Sequence, residues 1–271
     1  IDWTRMELPV LPPHSSLVTA DFDSDLPPEW LNFLAECALQ GVSVLHYKQL
    51  RQSLTGQVQI EHLSENAYGA LEPNRTYIAI KRLVDTLFAA LLMPVLVPLF
   101  VAVAIAVKLD SPGPVFFRQI RVGYRGRPFR VWKFRTMRVQ DSEPSLEQAI
   151  TRHRDPRVTR LGRWLRRTRI DELPQAFNVL RGEMSWIGPR PEAEELSRWY
   201  ERELPFYRYR HVVRPGISGW AQVSQGHVAD LDSVLKKLNY DFFYISRCTL
   251  WIDVLILLRT IKTMLTGFGS R

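Results

Sequence analysis

The stretch Thr86–Val107, TLFAALLMPVLVPLFVAVAIAV, decides the fold, because none of its 22 residues carries a charge. As a straight helix it would extend roughly 33 Å at 1.5 Å per residue, about the thickness of a bilayer core. Pro94 and Pro98 lie in its middle, where a proline removes a backbone donor and bends the helix. The stretch predicts a membrane helix over about residues 81–108 that is broken at the two prolines.

Basic residues flank this apolar stretch on both sides. Lys81 and Arg82 precede it, and Lys108 and Arg118 follow it. Because Lys and Arg collect in cytoplasmic loops, both ends are predicted to be cytoplasmic. A re-entrant helix, which dips into the membrane and returns, satisfies the prolines and the charges together. A plain transmembrane anchor stays open as the alternative, whereas a soluble core helix would need protein on every side.

Two adjacent carboxylates, Asp171 and Glu172, lie within RRTRIDELPQAFNVLRGEMSWIGPRP, the stretch Arg166–Pro191. Three arginines precede the acids, and the stretch ends in Gly-Pro-Arg-Pro, where prolines stiffen the backbone around Arg190. A carboxylate can attack phosphorus or hold Mg²⁺, and guanidinium groups pair bidentately with phosphate oxygens. The pattern predicts phosphoryl chemistry. The alternative is a helix capped by Asp171, with solvated arginines around it.

The amino-acid composition indicates which classes of binding partner suit the protein. The chain has 271 residues, with 36 Lys and Arg against 28 Asp and Glu, a net charge of +8. Such a balance suits nucleic acid, an anionic membrane surface or phosphorylated substrates. Cys37 and Cys248 are far apart, which predicts a reducing compartment without a disulfide framework. The chain begins at Ile1, which predicts that it is part of a longer protein.

Residues 1–75 are predicted to form a small α/β unit, separate from residues 76–271. Its pattern indicates a helix over Glu29–Leu39, followed by strands at Val42–Tyr47 and Thr55–Ile60. No glycine-rich phosphate motif occurs in this unit, so no chemistry is assigned to it.

After the apolar stretch, Val115–Val122 and Pro128–Met137 predict a β-hairpin around a glycine-containing turn. The second strand carries Lys133 between two aromatic residues, which favours Lys133 as a functional cation rather than a solvated one. Ser142–Gln148 is polar and predicts a loop with a short helix.

Eight arginines between Arg152 and Arg169 accompany an apolar stripe of Leu161, Trp164 and Leu165. This pattern predicts a basic amphipathic helix on a membrane surface. Nucleic-acid binding is the weaker reading, because no recognised motif accompanies the charge. Trp251–Leu265 is apolar at helical spacing with interspersed charges, and predicts a second interfacial helix.

Six motifs occur in the order found in the bacterial sugar transferases. They are KRLVD (81–85), KLDSPGPVFFRQIRVG (108–123), VWKFRTM (131–137), LRRTRIDELPQAFNVLRGEMSWIGPRP (165–191), RPGISGWAQV (214–223) and YDFFYI (240–245). Over about residues 80–268 the chain therefore resembles this family of monotopic polyprenyl-phosphate phosphoglycosyl transferases. Several motifs in fixed order are far more specific than a single match.

The resemblance implies an α+β monotopic membrane protein with a re-entrant helix, interfacial helices and a small β element. It implies Mg²⁺, a UDP-sugar donor and undecaprenyl phosphate as acceptor, with UMP released at the cytoplasmic face of the bacterial inner membrane. The product would begin a surface glycan such as exopolysaccharide, capsule or O-antigen. Residues 1–75 resemble the end of the extra domain of longer members. No nucleic-acid partner is expected, and a homodimer is kept as a candidate assembly.

By the same resemblance, Asp171 would be the nucleophile and Glu172 its partner, and both would be Mg²⁺ ligands. The residues implied to bind substrate are Lys133, Arg166, Pro189, Arg190, Pro191 and Arg214. The sequence departs from the family at Val97-Pro98, where many members have Ser-Pro, and at Arg169, where a small residue is common. A non-catalytic scaffold that binds acidic lipid or partners stays open; it explains the charge but not the acid pair. The sequence does not identify the donor sugar.

Overall fold

The computed structural model describes residues 16–59, 72–138, 155–225 and 231–266. Contacts within the chain divide it into two units, residues 1–58 and 59–271, which are described separately. The predicted loop Ser142–Gln148 and the beginning of the predicted helix at Arg152 lie outside the described residues.

Within its described residues, 16–58, the N-terminal unit has two parallel strands and two helices. They are β1 (Leu17–Ala20), α1 (Pro28–Leu39), β2 (Ser43–His46) and α2 (Tyr47–Thr55). The predicted helix and first strand are confirmed. The strand predicted from Thr55 is wrong, because α2 runs to Thr55 and ends at Gly56, which has a left-handed φ of 65°. His46 Nδ1 accepts from the Lys48 amide and caps this helix, so the polar run after β2 turns into a helix.

The apolar stretch lies in α3 (Arg75–Asp110), 36 residues long, whose first turn is capped by Asn74. The helix continues through Pro94 and Pro98. The prolines remove the two amide donors that would bond the carbonyls of Ala90 and Pro94, yet the flanking turns stay helical. The prolines therefore do not interrupt the helix, and a bend at them stays a prediction.

One face of α3 packs on the rest of the second unit along almost its whole length. The buried residues are Asp85, Ala89, Leu96, Phe100, Val103 and Val107. Phe100 contacts Phe134 edge to face, with ring centroids 5.6 Å apart. The most apolar window of the helix has a mean hydropathy of 2.7 and is only 22% buried, so α3 is long and apolar enough to span a membrane and is not a core helix.

The predicted hairpin is confirmed. Strands β3 (Phe116–Val122) and β4 (Pro128–Phe134) are antiparallel, with Phe116 opposite Phe134. The second strand ends at Phe134 rather than at Met137. The turn is a short 3₁₀ segment, Tyr124–Gly126, in which Arg125 has a φ of 57°.

The remaining elements follow the hairpin along the chain. They are α4 (Arg160–Arg167), a 3₁₀ helix (Ile170–Gln175), α5 (Ala176–Arg181), β5 (Ser185–Ile187), α6 (Glu194–Glu203), a 3₁₀ helix (Tyr207–Val212), β6 (Gly216–Ser218), α7 (Trp220–Ser224), α8 (Leu231–Ser246) and α9 (Leu250–Thr266). Strands β5 and β6 pair in parallel, with Ser185 opposite Gly216. This pairing brings the Gly-Pro-Arg-Pro segment beside the RPG motif.

The predicted helix over Arg152–Arg169 is too long. Helix α4 begins only at Arg160, because the Thr159 hydroxyl caps it by accepting from the Gly162 amide at 2.9 Å. Its apolar stripe is split, since Leu165 is fully buried in the core while Trp164 is 53% exposed. The location of α4 on a membrane surface stays a prediction.

Candidate active site

The acid pair, Asp171 and Glu172, lies in the 3₁₀ helix directly after α4. Arg169 separates the two helices with a left-handed φ of 59°, a conformation that a residue with a side chain rarely adopts. Both acids are buried, with 8% and 6% of their surfaces exposed. Arg169 holds the cap position and makes no capping bond. The alternative that Asp171 caps a helix is therefore wrong.

Glu172 is held by cations on both carboxylate oxygens. Lys133 Nζ lies 2.7 Å from its Oε1, and Arg190 Nη2 lies 2.6 Å from the same oxygen. Arg190 Nη1 reaches Oε2 at 3.4 Å, and Arg169 lies 3.7 Å from that oxygen. Burial alone would raise the pKa of Glu172, but Arg190 and Lys133 hold it well below its usual value. Glu172 is therefore a permanent anion at the centre of a cation cluster.

Asp171 has the opposite electrostatics, although it is the next residue. Its Oδ1 is buried and has no hydrogen-bond partner among the described residues. Burial, and then the charge of Glu172, raise the pKa of Asp171 to about 6, against the pull of Lys133 and Arg166. Near pH 7 and above, Asp171 is ionised, and its Oδ1 accepts no hydrogen bond from the described residues.

The predicted cations Lys133 and Arg166 are both placed at the acid pair. Burial lowers the pKa of Lys133 to about 8, although Glu172 favours its charged form. Arg166 donates its Nε to Thr136 Oγ1 at 2.8 Å. Burial lowers the pKa of Arg166, and the carboxylate of Asp171 is the strongest charge that opposes this shift. A phosphate oxygen approaching Asp171 would meet both cations.

The Gly-Pro-Arg-Pro segment is fixed by three donors as well as by its prolines. Pro189 O accepts from the Gly216 amide at 3.0 Å. Arg190 O accepts from Arg210 Nη2 at 2.9 Å, and Pro191 O accepts from Arg121. With its backbone held at three successive carbonyls, Arg190 can direct its guanidinium at Glu172 without a large entropy cost.

Sequence reasoning missed the support behind Arg190. Arg210 is 3% exposed and donates to Asp241 Oδ2 at 2.7 Å and 3.1 Å. It also donates to the Tyr207 hydroxyl at 2.9 Å. The sequence contains many arginines, and no local pattern distinguishes Arg210 from the others. Asp241 offered a signal, because a single acid within the aromatic run YDFFYI is buried only when a cation pairs with it.

Arg214 lies elsewhere. Its Nε donates to Gly182 O at 3.0 Å, and its guanidinium stacks on Tyr124 at 4.7 Å from the ring centroid. No contact among the described residues joins Arg214 to the acid pair. Its predicted contact with an anion stays a prediction, but the anion is not placed at Asp171.

The predicted Mg²⁺ site fits one of the two acids. Mg²⁺ binds through one or two carboxylates together with water and substrate phosphates. The buried, unpartnered Oδ1 of Asp171 can supply such a ligand. Both oxygens of Glu172 face cations at 2.6 to 3.7 Å, so Glu172 fits the metal poorly.

The second unit belongs to a class of protein that combines a helix long and apolar enough to span a membrane with a buried acid pair on which cations converge. Its family follows from comparison with known proteins. The model of the bacterial sugar transferase family matches residues 76–267, and the chain belongs to this family.

Several relatives share high identity with the chain. A UDP-N-acetylgalactosamine-undecaprenyl-phosphate N-acetylgalactosaminephosphotransferase of Aeromonas hydrophila is 50% identical over the whole chain, which covers 64% of that protein. A UDP-glucose:undecaprenyl-phosphate glucose-1-phosphate transferase of Xanthomonas campestris pv. campestris is 44% identical over 76% of the chain and 42% of its own length. A transferase of the same name from Caulobacter vibrioides is 44% identical, with 69% and 70% covered. The chain thus spans less than two thirds of the first two relatives.

Proposed function

We propose that the protein transfers a sugar 1-phosphate from a UDP-sugar to undecaprenyl phosphate, giving undecaprenyl-diphosphate-sugar and UMP. The observation that carries this proposal is the asymmetry of the acid pair: Glu172 is saturated by cations, whereas Asp171 keeps a free oxygen. The names of the relatives support the same reaction class. The reaction would begin the assembly of a bacterial surface glycan.

The first step is attack by Asp171 on the sugar-bearing phosphorus of the donor. A bond forms between a carboxylate oxygen and this phosphorus, while the bond to the bridging oxygen breaks and its electron pair leaves with UMP. In the second step an oxygen of undecaprenyl phosphate attacks the same phosphorus and restores the Asp171 carboxylate. The covalent aspartyl intermediate divides one difficult displacement into two easier ones.

The cations around Asp171 make this attack possible. A free carboxylate is repelled by a diphosphate unless positive charge neutralises the phosphate oxygens. Lys133 and Arg166 stand beside Asp171, and Arg190 is within hydrogen-bond distance of Glu172. The prolines of the Gly-Pro-Arg-Pro segment hold Arg190 in place for the nucleotide phosphate. Glu172 keeps Lys133 and Arg190 in position by its permanent charge.

Mg²⁺ is part of the proposal, with Asp171 as its protein ligand. When bound, the ion would neutralise charge on the donor diphosphate. Glu172 would act on the cation side of the site rather than as a second ligand, because its oxygens already face Lys133 and Arg190.

The membrane helix is proposed to be re-entrant, with the active site at the cytoplasmic face of the bacterial inner membrane. Both ends of α3 bond to the same folded unit. Near the start, Lys81 pairs with Asp253 at 2.5 Å. At the end, Arg135 donates to Ser111 O at 2.6 Å and Pro112 O at 2.9 Å. A helix tied to one body at both ends favours return to the same side.

The relatives also suggest the order in which donors should be tested. UDP-N-acetylgalactosamine comes first, because the relative of that specificity matches the whole chain, and UDP-glucose comes second. Purified enzyme in nanodiscs with Mg²⁺ and donor, but no lipid acceptor, should release UMP only up to the amount of enzyme. The peptide that contains Asp171 should then carry a phosphosugar.

Two variants make this test decisive. Asp171→Asn should lose both the burst and the adduct, while Arg198→Gln, at a surface ion pair on α6, should retain both. If UMP is formed only after acceptor is added and no adduct is trapped, the attack is direct and the intermediate is wrong. If none of the donors gives UMP with acceptor present, the scaffold interpretation replaces the enzyme.

A further inference from the structure

A shallow cleft opens beside the first turns of α3, away from the acid pair. Its polar lining comes from α3, β5, the RPG motif and α8. The polar residues are Lys81, Arg82, Asp85, Ser185, Arg214 and Tyr244. Val213 lines this cleft and also the one that contains Arg190, so the Val213–Pro215 segment separates the two.

The charges of this cleft do not balance. Lys81 lies 2.5 Å from Asp253 and 4.0 Å from Asp85, so one cation serves two carboxylates. Arg82 and Arg214 add two further cations. Because the cations outnumber the carboxylates, and Arg125 also lies close enough to repel Arg214, a bound anion would neutralise part of the positive charge of the cleft.

The two arginines have donor capacity left for a ligand. Arg82 donates to Val179 O at 2.6 Å and Leu180 O at 3.2 Å, and so closes the C-terminal end of α5. Arg214 uses its Nε on Gly182 O, while its terminal amino groups have no hydrogen-bond partner among the described residues. Burial, and then repulsion by Arg82, lower the pKa of Arg214, and the charge of a bound anion would raise it again.

The surroundings of the cleft indicate where the anion comes from. Ile80, Leu83 and Val84 on the same turns of α3 are each more than half exposed. Cations at the edge of an exposed apolar helix face lie at the level of lipid headgroups. A soluble phosphate would not need this apolar border.

We propose that this cleft binds the phosphodiester headgroup of an anionic membrane phospholipid, between Arg82 and Arg214, as a site distinct from the acid pair. The lipid would anchor the start of α3 and the Val213–Pro215 segment to the membrane surface. The anion contact expected of Arg214 is thereby assigned to lipid rather than to the donor.

The test measures phospholipid retained by purified protein, by native mass spectrometry from nanodiscs of phosphatidylglycerol and phosphatidylcholine. The wild-type protein should retain phosphatidylglycerol selectively. Arg214→Gln should reduce this retention roughly tenfold, the effect of losing one charge-assisted contact. The matched control Arg198→Gln removes a surface arginine outside the cleft and should retain lipid as the wild type does.

Competition experiments identify the source of the anion, and a conservative variant covers the case in which Arg214→Gln does not fold. Inorganic phosphate and UMP should not displace phosphatidylglycerol; displacement by UMP would assign the cleft to the donor and overturn the proposal. Equal retention by Arg214→Gln and wild type would overturn it too. If Arg214→Gln does not fold, Arg214→Lys, which keeps the charge, should retain the lipid to within about threefold, and its loss would likewise contradict the proposal.

Discussion

Replacing each of the two adjacent carboxylates by its uncharged amide should change the stability of the protein in opposite directions. Asp171→Asn removes a buried charge that the protein does not pair, whereas Glu172→Gln removes the counter-charge of buried cations. Both variants should lose activity. We expect the first to unfold at a higher temperature than the wild type and the second at a lower one, measured near pH 8.

The size of the first effect follows from the pKa of Asp171. Its rise from 3.8 to about 6 corresponds to about 3 kcal/mol at 1.4 kcal/mol per unit, the cost of keeping the carboxylate ionised in the folded state. The amide that replaces the carboxylate is buried without partners, which costs about 1–2 kcal/mol and reduces the gain in stability by that amount. The net gain of about 1–2 kcal/mol corresponds to roughly 2–8 °C for a unit of this size.

The pH dependence of the first effect has a defined sign. Because the pKa of folded Asp171 is raised, the penalty is complete above about pH 6 and falls as the pH decreases towards 3.8. The gain of Asp171→Asn should therefore be present at pH 8 and absent near pH 4.5. Activity of the wild type should fall below about pH 6, as the nucleophile becomes protonated.

The second effect comes from the cations that Glu172→Gln leaves behind. Removing one partner of a buried ion pair costs about 3–5 kcal/mol. The pKa of folded Glu172 is lowered, so its contribution is complete above its ordinary value of 4.5 and is lost below it, as the pH approaches the folded-state value. The destabilisation should thus be present at both pH 5 and pH 8.

The assay is thermal unfolding followed by tryptophan fluorescence. It compares the wild type and both variants in identical nanodiscs and gives the direction in which each variant shifts the unfolding midpoint. The control is Asp232→Asn, an exposed acid at the start of α8, which should change the midpoint by no more than about 2 °C. If Asp171→Asn lowers the midpoint at pH 8, or if the two variants shift it in the same direction, the assigned electrostatics are refuted.

Three further predictions follow from the same geometry. Arg190→Lys keeps the charge but loses the planar fork, so activity should fall at least about tenfold with little change in the unfolding midpoint; near-normal turnover would show that the segment is only a turn. Asp241→Asn should raise the KM for the donor, and a double-mutant cycle with Arg190→Lys should be non-additive if Arg210 positions Arg190. Single cysteines at Arg75 and Asp110, in a background without native cysteines, should be labelled from the cytoplasmic side only; labelling of either from the other side would establish a crossing helix.

Local patterns predicted most of the elements. The apolar run and the alternating hairpin each depend on a few neighbouring residues, and both elements are found, although α3 begins at Arg75 rather than at Lys81. The errors occur where local signals compete. No strand begins at Thr55, because α2 extends to this residue and ends at Gly56, which has the left-handed C-cap conformation. The arginine-rich helix is shorter than predicted, because the Thr159 side chain caps its start.

The electrostatics of the acid pair was beyond sequence reasoning. Asp171 and Glu172 share the same neighbours along the chain, and nothing in the sequence distinguishes them. Their difference arises from Lys133, 39 residues before Glu172, and Arg190, 18 residues after it, whose hydrogen bonds go to Glu172. Interactions of such separation depend on strand pairing and helix packing, which no local pattern specifies.

The long apolar helix α3 is also connected to the segments that carry the acid pair and Lys133. Its residue Arg82 closes the C-terminal end of α5, and α5 directly continues the 3₁₀ helix that carries Asp171. At the other end of α3, Arg135 holds the terminal carbonyls and lies two residues from Lys133 on the same chain segment. The apolar helix is therefore connected to both the nucleophile segment and the lysine that faces it. We therefore expect a change in the bend of α3 to move the two sides of the acid pair relative to each other and so to alter activity.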